Sequence, residues 1–169
     1  MTIASEIHVD PRLDLEIERV VDVSPEVVWA AWTKPEHLKK WFTPAPWKTV
    51  DAEIDLRPGG LFCAVMQSPE GERFPNVGCY LEVVPGRRLT WTNALEAGFR
   101  PAATTSVVSF RFTAAVSIEP HGGGTRYRAV VRHADEASRT KHDEMGFADG
   151  WGKAWDQLVD HAKRGEIAP

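Results

Sequence analysis

The sequence predicts an α+β domain, in which helices lie on one face of an antiparallel sheet. Three features predict this class: an early strand followed by two short helices, a middle part that alternates strand segments with turns, and a long C-terminal helix. The short connections between strands favour antiparallel neighbours. At 169 residues the chain is expected to fold as a single domain, at residues 12–165, after an N-terminal tail at residues 1–11.

The first strand is predicted at Arg12–Asp22, because apolar and charged residues alternate there as in a half-buried strand. Ser24–Glu26 then supplies an N-cap residue, a proline at the first helical position and an acidic residue in the first turn. A short helix is therefore expected at Pro25–Trp32. A second short helix is expected at Thr33–Trp41, and the prolines from Pro44 onward end it.

A run of strand segments follows and brings the sheet to about seven strands. The segments are Trp47–Leu56, Leu61–Gln67, Val77–Val84, Arg88–Asn93, Thr105–Ile118 and Thr125–Arg132. Glycine, proline and polar residues separate them, which is typical of turns. In the last strand Arg126, Arg128 and Arg132 alternate with apolar residues, so these arginines are expected to face solvent.

The closing helix is expected to form one wall of a cavity. Its apolar stripe runs over Met145–Ala162 and includes Trp151 and Trp155. Asp135 is the expected N-cap and Gly165 the residue that ends the helix. Three glycines interrupt the stripe: Gly146, Gly150 and Gly152. Each costs roughly 1 kcal/mol relative to Ala inside a helix, which favours close packing, a bend or ligand access at these positions.

Composition argues against several classes of partner. The 20 basic and 24 acidic residues give a net charge of −4, without a basic tract, so no nucleic acid partner is expected. The N-terminal residues do not resemble a secretion signal and no apolar run approaches about 20 residues, so we expect a cytoplasmic protein without a membrane partner. Cys63 and Cys79 are expected to be small buried hydrophobes rather than metal ligands or a disulfide.

Few residues suggest catalysis, and no phosphate-binding loop, nucleophile elbow or zinc-binding spacing is present. No metal and no cofactor are therefore expected. His133, at the end of a strand, is a weak candidate for a general base, and the preferred interpretation is that it caps or borders the closing helix. Tyr80 and Tyr127 are weak acid–base candidates on the same reasoning. His142 is expected on the exposed, polar side of the closing helix.

Four sequence blocks resemble, in order, the START-like (SRPBCC) superfamily in its branch similar to the activator of heat-shock-protein-90 ATPase, the AHSA-type family. The blocks are Ser24–Phe42, Arg57–Phe62, Gly78–Thr92 and Gly150–Leu158. The resemblance covers about residues 12–164. It implies a helix-grip fold, in which a curved antiparallel sheet grips the C-terminal helix around an apolar tunnel. Eukaryotic co-chaperones of this family also have an Asn- and Trp-rich N-terminal signature, which this sequence lacks, so a chaperone partner is not expected.

Aromatic residues are the main candidates for ligand binding. On alternation and helical spacing, the expected ligand-binding residues are Trp41, Phe42, Met66, Tyr80, Trp91, Phe110, Phe112, Tyr127, Phe147, Trp151 and Trp155. Tyr80, Tyr127, Asn93 and Gln67 are the polar side chains that could orient a ligand. The alternative interpretation is that these residues simply fill the core.

We prefer the hypothesis that the protein binds a small hydrophobic molecule, which is lipid-like, aromatic or polyketide-like. The first alternative is an enzyme of the polyketide cyclase or aromatase kind, which some START-like relatives are; enclosure alone does not distinguish the two. The second alternative is a co-chaperone-type regulator of the chaperone ATPase. Relatives often form dimers, so a homodimer is also left open.

Overall fold

A computed structural model describes residues 8–104 and 108–169. Its elements are β1 (Asp14–Val21), α1 (Pro25–Thr33), α2 (Pro35–Trp41), β2 (Lys48–Ile54), β3 (Leu61–Gln67), β4 (Arg73–Val84), β5 (Arg88–Thr92), β6 (Leu95–Glu96), β7 (Arg100–Pro101), β8 (Phe112–His121), β9 (Gly124–His133), α3 (Glu136–Glu144) and α4 (Phe147–Lys163). The predicted strand at Thr105–Ile118 begins in residues that lie outside the described part, as do residues 1–7 of the predicted N-terminal tail.

The predicted α+β, helix-grip architecture is confirmed. Seven strands form one antiparallel sheet in the order β1-β9-β8-β5-β4-β3-β2, and β6 pairs with β7 in a small separate hairpin that the sequence pattern did not predict. Strands β1 and β2 lie at opposite edges, so α1 and α2 carry the chain across the inner face of the sheet. Register shifts at Thr49/Asp51 and Tyr80/Glu82 mark irregularities of the kind that bend a sheet.

The strands agree with the predicted segments to within two residues, except at the start of β4 and at both ends of β8, which continues to His121. Strand β4 begins at Arg73, earlier than predicted, because it pairs with β3 along the whole length of that strand. Strand β8 begins at Phe112, so Phe110 precedes the strand instead of sharing one strand face with Phe112. As predicted, the β9 arginines lie on the outer side, where Arg126 and Arg128 pair with Glu18 and Glu16 of β1.

The closing helix differs from the prediction, because it is two helices. Asp135 caps α3 rather than one continuous helix, and its carboxylate accepts a hydrogen bond from the Ser138 amide at 2.7 Å. Gly146, with φ of +89°, has a left-handed backbone that ends α3 and precedes α4. The break shifts the apolar stripe, so Met145 is 57% exposed and the buried face of α4 starts at Phe147.

The two remaining helix glycines have different surroundings. A Cβ atom at Gly152 would lie 2.7 Å from Nη2 of Arg19, so this glycine permits a close approach of β1 to α4. A Cβ atom at Gly150 would meet nothing within 4 Å. The expectation of missing side-chain volume along the closing helix therefore holds at Gly150, whereas Gly152 is a packing glycine.

A short segment after α4 packs against α2. Ile167 is buried, and the carbonyl oxygen of Ala168 lies 3.1 Å from Nε2 of His37. The ammonium groups of Lys34 and Lys40 donate hydrogen bonds to backbone carbonyls of the same segment. Residues 166–168 therefore anchor the early helix α2 to the end of the fold.

The cysteines are both free, and only Cys79 is fully buried. Cys63 is half-buried, and burial raises the pKa of its thiol. The prediction of two buried hydrophobes is therefore correct for Cys79 and only partly correct for Cys63.

Candidate functional site

A cavity of about 240 Å³ lies between the inner face of the sheet and α4. Its walls come from α1, α2 and the residues after it, the strands β3, β4, β5, β8 and β9, and the helices α3 and α4. The lining residues are Trp32, Trp41, Phe42, Pro44, Met66, Asn76, Trp91, Val108, Phe112, Val131, His142, Met145, Gly146, Phe147, Gly150, Trp151, Ala154 and Trp155. Most of them are apolar or aromatic, as in small-molecule sites in general.

Trp32 of α1 joins the aromatic walls. Its ring centroid lies 4.7 Å from that of Trp41, 5.5 Å from Trp91 and 6.2 Å from Trp151. Each contact of this kind adds roughly 0.5–1.5 kcal/mol beyond the area that it buries. The four indoles, which we call the indole cluster, therefore brace elements that are far apart in the sequence.

Gln157 of α4 holds the chain that follows α2. Its amide nitrogen donates to the carbonyl oxygens of Trp41 and Thr43, both at 2.9 Å, and its amide oxygen accepts from the backbone N–H of Ala45 at 2.8 Å. All three backbone groups flank Phe42 and Pro44, which line the cavity. One side chain thus fixes this part of the wall.

Among the described residues, two polar side chains lie in the wall, Asn76 of β4 and His142 of α3. Nδ1 of His142 lies 2.8 Å from Nε2 of His133, and Nδ1 of His133 lies 2.8 Å from the carbonyl oxygen of Leu13. Burial, with a smaller effect of His133, lowers the pKa of His142 to about 4. Burial also lowers the pKa of His133, partly offset by its hydrogen bond to Leu13 and by Asp14.

The prediction that His142 is exposed on a polar helix face is wrong. The side chain is half-buried among aromatic rings, at 4.9 Å from Phe110 and 5.2 Å from Phe147 between centroids. The cause is the break at Gly146, because α3 is a separate helix that packs against β9 and turns His142 toward the cavity. Extending the helical periodicity of α4 back to His142 cannot give this orientation.

Of the residues expected to bind a ligand, the cavity wall contains Trp41, Phe42, Met66, Trp91, Phe112, Phe147, Trp151 and Trp155. Tyr80, Phe110 and Tyr127 are not in the wall. Tyr80 packs in the core against Phe62 at 5.7 Å, and Phe110 lies behind the wall against His133 and His142. Tyr127 packs beneath Trp155.

The weak acid–base candidates are placed unfavourably for contact with a ligand. The hydroxyl groups of Tyr80 and Tyr127 are buried without a hydrogen-bond partner among the described residues, and burial raises the pKa of both. His133 is separated from the cavity by His142. Of these three side chains, only His133 is hydrogen-bonded to a residue of the cavity wall.

The other predicted polar residues serve the backbone. The amide nitrogen of Asn93 donates to the carbonyl of Phe110 at 3.0 Å, and its oxygen accepts from the N–H of Phe112 at 2.8 Å. Gln67 donates to the carbonyl of Gly71 in the turn after β3. Neither side chain lines the cavity, because each satisfies main-chain groups at the end of a strand.

Sequence reasoning missed several wall residues, notably Trp32, Asn76, Val131, His142 and Ala154. Trp32 was recognised only as part of the apolar stripe of α1, and a stripe does not reveal whether its partner is core or cavity. Val131 lies on the same face of β9 as Tyr127, and this alternation is a usable signal that the Val131 side chain points inward. Asn76 precedes the predicted start of its strand and had no such signal.

In residues 8–104 and 108–169, no three His, Cys, Asp or Glu side chains are grouped so that they could hold a metal ion. Every helix in the described part of the chain is too short or too polar to span a lipid bilayer.

The sheet, the gripped helix and the apolar cavity between them together define a START/Bet v 1-type fold, which commonly binds hydrophobic ligands. The chain belongs to the family described as activator of Hsp90 ATPase homolog 1-like protein, whose model matches residues 22–163. No curated protein sequence matches it significantly.

Solved structures support the same assignment. A crystal structure of a protein from Nitrosomonas europaea is 45% identical, covers 94% of this chain and 99% of its own, and has a TM-score of 0.87. One from Rhodobacter sphaeroides is 22% identical, with coverage of 93% and 97% and a TM-score of 0.80. An NMR structure of an AHSA1-like protein from Aeromonas hydrophila is 20% identical, covers 92% and 96%, and has a TM-score of 0.69. The last two support the fold alone.

Proposed function

We propose that the protein binds a small aromatic molecule in the cavity between the sheet and α4. The observation that carries this proposal is the unfilled volume beside the indole cluster. Native cores are packed to nearly crystalline density, so an unfilled space of about 240 Å³ bordered by tryptophan rings is unusual for a core that serves stability alone.

The volume limits the size of the ligand. An apolar cavity of about 150 Å³ accommodates benzene, so by the same ratio this cavity holds about ten non-hydrogen atoms. That size corresponds to one or two aromatic rings. Among the ligand classes suggested by the sequence, a long lipid chain and a multi-ring polyketide are therefore disfavoured relative to a compact aromatic molecule.

The chemistry of the wall favours a planar ligand. Tryptophan faces and edges bind aromatic rings in stacked or edge-to-face arrangements, with a gain beyond the burial of apolar area. Trp32, Trp91 and Trp151 present such surfaces around one space. A flexible aliphatic chain would lose more conformational entropy there and gain no ring contacts.

Ligand binding is supported better than acid–base catalysis of the polyketide cyclase kind. Two of the three acid–base candidates, Tyr80 and Tyr127, lie in the core outside the wall. Among the wall residues that the structure describes, only Asn76 and His142 are polar enough to act on a substrate. Binding requires only the cavity, whereas a reaction would require further groups.

The test is a panel of mono- and bicyclic aromatic compounds, measured by tryptophan fluorescence and by thermal unfolding. At a ligand concentration 100 times Kd the protein should gain about 2.7 kcal/mol, which raises Tm by roughly 5–10 °C. The Ala154→Leu variant should weaken binding at least tenfold, because Ala154 lines the cavity. Ala148→Leu, at an exposed position of the same helix, is the matched control.

Two results would count against the proposal. One is an unchanged Tm and unchanged fluorescence with every compound in the panel. The other is full affinity in a folded Ala154→Leu protein, which would place the bound compound elsewhere on the molecule.

A further inference from the structure

The hydrogen bonds behind His142 fix which of its ring nitrogens carries a proton. The Leu13 carbonyl oxygen can only accept, so Nδ1 of His133, at 2.8 Å from it, must carry a hydrogen. In a neutral His133 the other nitrogen, Nε2, is then an acceptor. Nδ1 of His142, at 2.8 Å from that nitrogen, must therefore be the donor.

The second nitrogen of His142 is left as an acceptor. In the neutral ring, protonation at Nδ1 leaves a lone pair on Nε2. This atom has no hydrogen-bond partner among the described residues, and it is not among the fully buried polar atoms without partners. His142 lines the cavity, and its acceptor nitrogen, which is not fully buried, keeps some exposed surface.

The pair is neutral under ordinary conditions. Burial lowers the pKa of both rings, and the neighbouring His133 lowers the pKa of His142 further. The charged groups that act on the pair are Asp14 from β1, Asp135 before α3, and Arg139 and Asp143 on α3. Phe110, Phe112 and Phe147, which contact His142, carry no charge.

We infer that the ligand of this cavity is an aromatic molecule with a hydrogen-bond donor, such as a phenolic O–H or a ring N–H, that donates to Nε2 of His142. The inference rests on the proposed function and specifies its chemistry. The other polar side chain of the wall, Asn76, has an amide that both donates and accepts, so it does not select between donors and acceptors. Nε2 of His142 does select for a donor, because an acceptor atom of the ligand placed against it would bring two lone pairs together.

His142 is thus a binding residue and His133 a positioning residue. His133 never touches the ligand in this arrangement. It holds the His142 ring in one tautomer through the chain from the Leu13 carbonyl to the cavity. A role of this kind is distinct from packing, because it is visible in the protonation of individual nitrogens.

The first test compares matched ligands on the whole protein. 2-Naphthol, naphthalene and 2-fluoronaphthalene have nearly the same shape, and only the first has a donor. We expect 2-naphthol to bind about tenfold more tightly than the other two, which is the effect of one good hydrogen bond. His142→Phe should bind all three alike, whereas His121→Phe, at the exposed end of β8, should keep the preference.

The second test needs no ligand and no variant. Nitrogen NMR of the imidazole rings should show, for His142, a protonated Nδ1 and an unprotonated Nε2, and the same tautomer for His133. His133→Phe should remove this constraint and mix the tautomers of His142.

The outcomes separate the two proposals. Equal binding of the three naphthalenes to the wild-type protein would overturn this inference and leave the proposed function standing. A protonated Nε2 on His142 at neutral pH would overturn it independently of any ligand, even if His142→Phe fails to fold. If none of the three naphthalenes binds, and no compound of the larger aromatic panel binds either, the proposed function itself is overturned.

Discussion

The ring centroids of Tyr127 and Trp155 lie 3.7 Å apart, at an angle of 48° between the rings. This contact joins β9 to α4, and both side chains are fully buried. It explains why Tyr127 is absent from the cavity wall although its strand face was predicted correctly. Trp155 lies over Tyr127 and separates it from the open space.

The Tyr127→Phe substitution should be neutral or stabilising. The hydroxyl group is buried without a partner among the described residues, so its removal relieves a desolvation cost of about 1 kcal/mol while the ring contact with Trp155 remains. Urea unfolding measures the change, and the affinity for the aromatic panel should stay the same. A loss of more than about 1 kcal/mol would show that the hydroxyl forms a bond in solution.

The three helix glycines should respond differently to alanine. Gly150→Ala should raise the free energy of unfolding by about 0.5–1 kcal/mol, because the methyl group meets open space and helix propensity improves. Gly152→Ala should gain less, since its methyl group displaces the Arg19 guanidinium from Asp156. Gly146→Ala should destabilise by about 1 kcal/mol, because alanine is strained at a φ of +89°. Thermal unfolding in any other order would contradict these assignments.

Gln157→Leu should lower the free energy of unfolding by about 2 kcal/mol. It removes three hydrogen bonds to backbone groups, and water can replace them only in part. Affinity for the aromatic panel should fall as well, because Phe42 and Pro44 lose their support. Gln67→Leu is the control, since that side chain makes a single bond of 3.3 Å in an exposed turn and should change stability by less than about 0.5 kcal/mol. Equal effects of the two substitutions would contradict the assigned role of Gln157.

Stability should decrease when the pH is lowered from 7 to 5. The pKa of His142 is about 4 in the folded protein against an ordinary 6.5, so in this window the unfolded chain binds more protons and is favoured. After allowance for solvent screening we expect a loss of roughly 1 kcal/mol in urea unfolding. His142→Phe should flatten the dependence, leaving the smaller contribution of His133. A flat profile in the unsubstituted protein would exclude a buried neutral His142.

The sequence predicted the sheet and the first two helices well, because their signals are local. Alternation along Arg12–Asp22 and the Ser24 cap each determine one element without reference to the rest of the fold. Helix breaks are harder to predict, since Gly146 reads equally as a helix interior residue, a bend or an end. The position of the cavity depends on distances between elements, which is why Trp32 and His142 were not identified as wall residues.

The anchoring of α2 by residues 166–168 has a consequence for how the protein is made. The hydrogen bond between His37 and Ala168 spans 131 residues, and the first strand pairs with β9 rather than with its sequence neighbours. During synthesis on the ribosome, the early helices emerge long before the segments that cover them. Productive collapse must therefore wait until residues 166–168 have been translated, and slow folding with high contact order is the expected kinetic behaviour.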